Sequence, residues 1–249
     1  MRLAAVGLLL GGLCVVLLVS GLFSRASARA GSRFRDRAID ATARALAWSS
    51  GMRVEIRGKP PGKPFILAAN HLAYMDIVLV RLACGARFVS KSEVARWPLV
   101  GRVASLTGAI FIERRNKKAI PRINDELADV LGSGAGVAVF PEGTSTAGAS
   151  VGKFHAGLLA PAARSGFPVH TATIGYRTPY GPAADLVCWW GEMTFLDHLF
   201  RLLAMPFFEA RITFAPEPVL NGDRKELADA LREQVLLFFE PIQGAPHEL

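Results

Sequence analysis

The chain has only three cysteines, Cys14, Cys84 and Cys188, in no Cys-x-x-Cys pair and at no metal-ligand spacing. That excludes a disulfide scaffold and a structural zinc module, and it fits reduced, buried thiols in a cytoplasmic setting. No metal and no cofactor is expected. Acidic residues are also in deficit: 21 Asp and Glu stand against 29 Lys and Arg, for a formal net charge of +8. A basic balance suits anionic lipid, nucleic acid or polyphosphate alike. The aromatic-rich basic signatures of RNA-binding domains are missing, so no nucleic-acid partner is expected. Repeats and low-complexity tracts are missing too, which leaves room for one sizeable domain and an appendage.

Charge is absent altogether from residues 3–23, a run rich in Leu, Val and Gly. About twenty apolar residues are what a helix needs to cross a bilayer. Arg25, Arg29, Arg33, Arg35 and Arg37 follow, and the positive-inside rule puts what lies beyond them on the cytoplasmic face. A cleaved signal peptide is the rival, with Ala26-Ser27-Ala28 as its cleavage site. The run is longer than a signal core, and arginines just past it resist export. Residues 1–24 are therefore expected to be a transmembrane or membrane-embedded helix. Residues 25–50 read as a basic amphipathic segment, suited to an anionic lipid surface or to packing on the domain. With 51% hydrophobic residues and mean hydropathy +0.30, the whole chain is apolar enough for membrane contact.

Residues 51–249 alternate short apolar runs with helical periodicity, which predicts an α/β fold: a mostly parallel central sheet flanked by helices. Strands are expected at 54–57, 65–69, 87–89, 108–112, 137–140, 167–174, 186–190 and 211–214. The run at 65–69 ends in Asn70-His71, and Asp76 follows before another apolar run. Asp is a favoured helix N-cap, so a helix is expected to start there. Strand exit and helix start then bring an imidazole and a carboxylate together. A carboxylate on one ring nitrogen fixes the tautomer and raises the basicity of the other, which makes His71 a candidate general base. His155 and His170 have no carboxylate near in sequence and rank below it. Lys91 after one strand and Arg114 after another are candidate anion contacts at the sheet's carboxyl edge, where open α/β proteins bind ligands. Phe140-Pro141-Glu142-Gly143-Thr144 ends a buried strand. Pro141 cannot continue it and Gly143 supplies a tight turn, which presents Glu142 and the amides after it at that same edge.

In order, Asn70-His71-x4-Asp76, Gly108-x2-Phe111-Ile112-Glu113-Arg114, Phe140-Pro141-Glu142-Gly143-Thr144 and the strand opened by Pro168 resemble four blocks of the glycerolipid acyltransferase family, which includes the 1-acyl-glycerol-3-phosphate acyltransferases. The resemblance spans roughly residues 54–176. It implies acyl transfer from acyl-CoA or acyl-carrier protein, as co-substrate, to the hydroxyl of a lysophospholipid acceptor, 1-acyl-glycerol-3-phosphate, at a membrane. It implies His71 as base and Asp76 as its partner. Arg114, Glu142 and Gly143 would lie about the headgroup, with Asn70, Phe140, Pro141, Thr144 and Lys91 beside them, and Pro168 would shape the pocket. Two departures stand out. Ala73 replaces a serine common two positions after the histidine. Ser145 replaces an arginine common after Gly-Thr, which weakens the case for a phosphate monoester acceptor and opens one for lyso-ornithine lipid. Trp189-Trp190-Gly191-Glu192-Met193-Thr194 also resembles that subgroup. A lipid hydrolase, with the pair serving a serine, is set aside because no Gly-x-Ser-x-Gly elbow is found. A non-enzymatic lipid-binding module is the remaining alternative.

Overall fold

The computed structural model describes residues 2–23, 28–97, 100–112, 120–242 and 244–245. In chain order the elements are α1 (Arg2–Phe23), α2 (Ala28–Ser50), β1 (Met52–Arg57), β2 (Phe65–Ala69), α3 (Met75–Cys84), β3 (Arg87–Lys91), α4 (Val100–Leu106), β4 (Ile110–Ile112), α5 (Ile120–Gly132), β5 (Gly136–Val139), α6 (Ala156–Ser165), β6 (Val169–Arg177), α7 (Ala183–Leu186), α8 (Phe195–Ala204), β7 (Phe208–Phe214) and α9 (Arg224–Leu236).

β2 has no polar side chain on either face, so it is stable as a strand only where both faces are covered. All of it is buried, and it is the middle strand of a seven-stranded sheet ordered β1-β7-β6-β2-β5-β3-β4. β6, β2, β5, β3 and β4 run parallel. β7 is antiparallel to β6, and β1 is parallel to β7. The carboxyl ends of five strands therefore share one edge. Alternation along β2 splits the core in two: Phe65, Leu67 and Ala69 pack with residues of α3 and α8, while Ile66 and Ala68 pack with α5, α6 and α9.

Two expectations fail here. Residues 186–190 are not a strand. Leu186 ends α7 and 187–190 follow as irregular chain, held by Cys188 N–H to the Ala183 carbonyl and Trp189 N–H to the Leu72 carbonyl, 2.9 and 2.8 Å. An apolar run can be buried by docking on a loop as well as by pairing in a sheet. The expected bilayer-crossing helix over residues 1–24 also needs correction. The run is helical as α1, but among the described residues no helix is long and apolar enough to cross a membrane. Part of α1 is committed to protein instead. Leu13 and Leu17 are buried with Ile39 of α2, against Val103 and Leu106 of α4, and the Arg2 guanidinium donates to the carbonyls of Met205 and Pro206. α2 is likewise a packing helix. It buries Ile39, Ala43 and Ala47, and Asp40 accepts from the buried Arg81 of α3 at 2.7 Å.

Candidate active site

Asn70 is the first residue past β2. It is 1% exposed, its Nδ2 donates to the Ile174 carbonyl at 2.9 Å, and its Oδ1 accepts from the Ile174 N–H at 2.7 Å. Both halves of its amide are thus spent on β6, continuing the sheet pairing where the backbone of β2 turns away. The structure gives this predicted substrate contact a scaffolding part.

His71 comes next. Its Nδ1 lies 2.7 Å from Oδ2 of Asp76; the imidazole is 20% exposed and the carboxylate fully buried. With Nδ1 engaged, Nε2 is the nitrogen left to meet a substrate proton. The imidazole stacks on Phe140, ring centroids 4.2 Å apart and planes 10° from parallel, and Phe88 stacks behind Phe140. Carboxylate and aromatic plate together fix the ring's direction and plane.

Asp76 is not the N-cap of α3; Tyr74 holds that position and makes no side-chain cap. Asp76 sits in the first turn and points back. Its Oδ2 also accepts from the N–H groups of Leu72 and Ala73, 2.7 and 3.1 Å, so residues 71–76 close on this one oxygen. Its Oδ1 accepts from the hydroxyl of Tyr176 at 2.5 Å.

The Glu142 turn follows β5 at the same edge. Glu142 is 5% exposed; Oε1 accepts from the His71 N–H at 2.7 Å and Oε2 from the Gly152 N–H at 2.8 Å. Burial raises its carboxyl to about 7, against the opposing pull of those two amides. A Cβ at Gly152 would lie 2.8 Å from Oε2, so glycine is needed for the carboxylate to approach. Thr146 N–H donates to the His71 carbonyl at 3.0 Å, which clamps the histidine backbone from both sides. The Gly143 N–H, a candidate oxyanion donor, is taken by the Phe140 carbonyl at 3.0 Å, and Gly143 has φ 75°. Pro141 accepts from the His155 N–H, and Thr144 is exposed at the rim. Ser145 is buried and donates to the Trp189 carbonyl.

The other predicted residues are distributed unequally. Lys91 ends β3, its backbone in register with Ile112 of β4, at the carboxyl edge shared with His71. Arg114 lies outside the described residues. Pro168 does not join the cluster. Val169 of β6 is in register with Ile66 of β2, so Pro168 stands at the amino edge, about 20 Å of strand from His71 at 3.3 Å per residue. His170, opposite Leu67, is also at that end, and His155 is the N-cap residue of α6.

Two features escape the sequence reading. Gly148-Ala149-Ser150-Val151-Gly152 does spell Gly-x-Ser-x-Gly. It is no nucleophile elbow: Ser150 is exposed in the loop between β5 and α6, and the amide of Gly152 serves Glu142. The set-aside hydrolase stays set aside, on geometry. Tyr176 is the second. It continues the face of β6 that carries Ala172 and Ile174, all three in the core layer of α3, to the edge where His71 lies. Period-two alternation continued past Ile174 would have pointed to it.

These residues compose a histidine–aspartate pair, braced by Glu142 and Tyr176 and partly open to solvent, suited to withdrawing a proton from a hydroxyl. The family model described as Acyltransferase matches residues 52–175. The lyso-ornithine lipid O-acyltransferase of Pseudomonas aeruginosa is 37% identical over 185 residues, covering 74% of this chain and 71% of that protein. That of Rhodobacter capsulatus is 34% identical over 195 residues, covering 74% and 69%. The 1-acyl-sn-glycerol-3-phosphate acyltransferase of Neisseria meningitidis is 25% identical over 205 residues, covering 81% and 80%. The fold matches the crystal structure of the 1-acyl-sn-glycerophosphate acyltransferase of Thermotoga maritima with a TM-score of 0.62 at 20% identity, covering 94% of this chain and 96% of that one.

Proposed function

Because the chain belongs to the acyltransferase family and is an enzyme of lysolipid type, we propose that it moves a fatty acyl group from a thioester, acyl-CoA or acyl-carrier protein, to the hydroxyl of lyso-ornithine lipid, with His71 as general base. His71 Nε2 takes the proton of the acceptor hydroxyl as its oxygen attacks the thioester carbonyl. The tetrahedral intermediate collapses, the C–S bond breaks, and the departing thiolate takes the proton back from the imidazolium. Asp76 on Nδ1 favours the charged ring that forms in between. Base catalysis of this kind typically contributes about 10²- to 10⁴-fold. No protein nucleophile is needed, because the acceptor oxygen stands where a triad serine would.

The observation that carries the base is the 2.7 Å contact between His71 Nδ1 and a wholly buried carboxylate. The choice of acceptor is supported by Ser145, which stands where the family commonly has an arginine and turns its hydroxyl onto the Trp189 carbonyl. It is also supported by the relatives bearing that name. The second reading is 1-acyl-glycerol-3-phosphate as acceptor. The relative from Neisseria favours it, as does Lys91 on the strand end beside β4. Membrane association belongs to this proposal. Leu8 and Val15 of α1, 77% and 61% exposed, and Leu196 and Phe200 of α8 offer apolar surface on neighbouring helices, on the cytoplasmic face.

The test is purified protein with labelled acyl-CoA or acyl-carrier protein and both lysolipids. A kcat/KM at least tenfold higher for lyso-ornithine lipid is expected. Equal or better use of lysophosphatidate would move the assignment to the second reading, and binding of either lipid without transfer would leave only a lipid-binding module.

A further inference from the structure

We propose that Tyr176 is a positioning residue that sets the basicity of the His71–Asp76 pair through the far oxygen of the carboxylate. The inference rests on His71 acting as the base.

The two oxygens of Asp76 have different neighbours. Oδ2 is bonded to His71 Nδ1 and to the N–H groups of Leu72 and Ala73, all within five residues in sequence. Those bonds form whenever the loop adopts its turn. Oδ1 is bonded to the Tyr176 hydroxyl at 2.5 Å, across 100 residues of sequence. It ties the pair to the end of β6, and so to the sheet.

The direction of this bond is set by chemistry. A carboxylate with donors converging on both oxygens is acceptor-only, so the phenol donates. Tyr176 is 3% exposed, and its ring sits edge-on to Phe208 at 6.0 Å, which fixes where the hydroxyl points. Burial, with Asp76 beside it, holds the phenol well above its ordinary range, so the hydroxyl keeps its proton throughout the working pH range.

A donor on a carboxylate stabilises its negative charge and lowers its pull on other protons. What Tyr176 takes from Asp76 is lost to the imidazolium. A stronger donor at 176 makes His71 a weaker base, and no donor makes it a stronger one. A ring that merely fills the core produces neither effect, because both changes below leave the ring in place.

The experiment is the pH dependence of kcat/KM, whose acid limb reports the base in the free enzyme; the other titratable groups facing the pair, Glu142 on the His71 N–H and Cys188 and Tyr74 beside Tyr176, are the same in every variant compared. In Tyr176→Phe the limb is expected to rise by about half a pH unit, since the carboxylate loses a donor. KM for both substrates should stay within about twofold, since no substrate contact is altered. In a protein with 3,5-difluorotyrosine placed at 176 alone, the phenol is a stronger donor and the limb is expected to fall. Opposite shifts support the proposal; a limb unmoved by difluorotyrosine overturns it even where the Phe variant does not fold. A His71→Ala variant that kept full transfer would remove the base reading underneath, a failure distinct from that of Tyr176.

Discussion

At the scale of the residue, two buried groups tilt stability in opposite directions with pH. Glu142 is raised from 4.5 to about 7, chiefly by burial. The folded protein therefore binds its proton more tightly than the unfolded chain does, and that contribution to stability is full below pH 4.5 and lost as pH rises to about 7. His198 is lowered from 6.5 to about 4, first by burial and then by Arg201. It is fully buried, with Nδ1 3.0 Å from the Tyr74 hydroxyl. Its contribution is full above pH 6.5 and lost as pH falls to about 4. Between roughly 4.5 and 6.5 the two slopes oppose, each bounded by about 1.4 kcal/mol per pH unit. Glu142→Gln should therefore leave stability rising with pH in that window, and His198→Gln should leave it falling. Urea midpoints at several pH values read this directly. Identical pH profiles in the two variants would mean that neither group titrates as the structure indicates.

At the scale of the element, the loop of residues 70–76 is placed by what leaves the sheet beside it. Asn70 extends the β2–β6 pairing, so Asn70→Ala orphans a buried N–H and a buried carbonyl of Ile174. The expected loss is about 2–6 kcal/mol, at about 1–3 per unsatisfied group. Thermal or urea unfolding checks this, and an unchanged midpoint would show that the pairing does not depend on the side chain. The sequence made this much of the arrangement legible. The uninterrupted apolar run of β2 predicts a buried strand, and its polar exit predicts the approach of His71 to Asp76 that the structure shows. The start of α3 was misread because Asp76 bonds the loop amides that an N-cap would leave behind it. Glu142 and Asn70 read as ligand contacts because a polar residue at a strand exit looks the same whether it faces a substrate or a neighbouring strand. Pro168 was assigned to the pocket because the resemblance gives order along the chain and not the edge of the sheet. An apolar run followed by arginines predicts a bilayer helix for α1, but neither signal distinguishes lipid from α2 and α4 as the partner. The proposed membrane association uses the exposed apolar residues of α1, so Leu8→Ser with Val15→Ser should weaken vesicle binding several-fold while turnover of detergent-dispersed acceptor stays within about twofold. Unchanged vesicle binding would assign membrane contact to another surface.

At the scale of the whole molecule, a parallel arrangement collects strand exits on one edge, and here it brings three segments distant in sequence together. His71 leaves β2, Glu142 leaves β5, Tyr176 ends β6, and Asp76 opens the helix after β2. The lower layer of α5, α6 and α9 and the upper layer of α3 and α8 keep that edge rigid from both faces. The account requires that the chemistry depend on one imidazole whose removal leaves this scaffold intact. The most direct measurement is acyl transfer from labelled acyl thioester to lyso-ornithine lipid by His71→Ala, at a matched unfolding midpoint. The account predicts a fall in kcat/KM of at least about 10³-fold with the fold retained. Transfer within tenfold of the parent by a folded His71→Ala protein would contradict it.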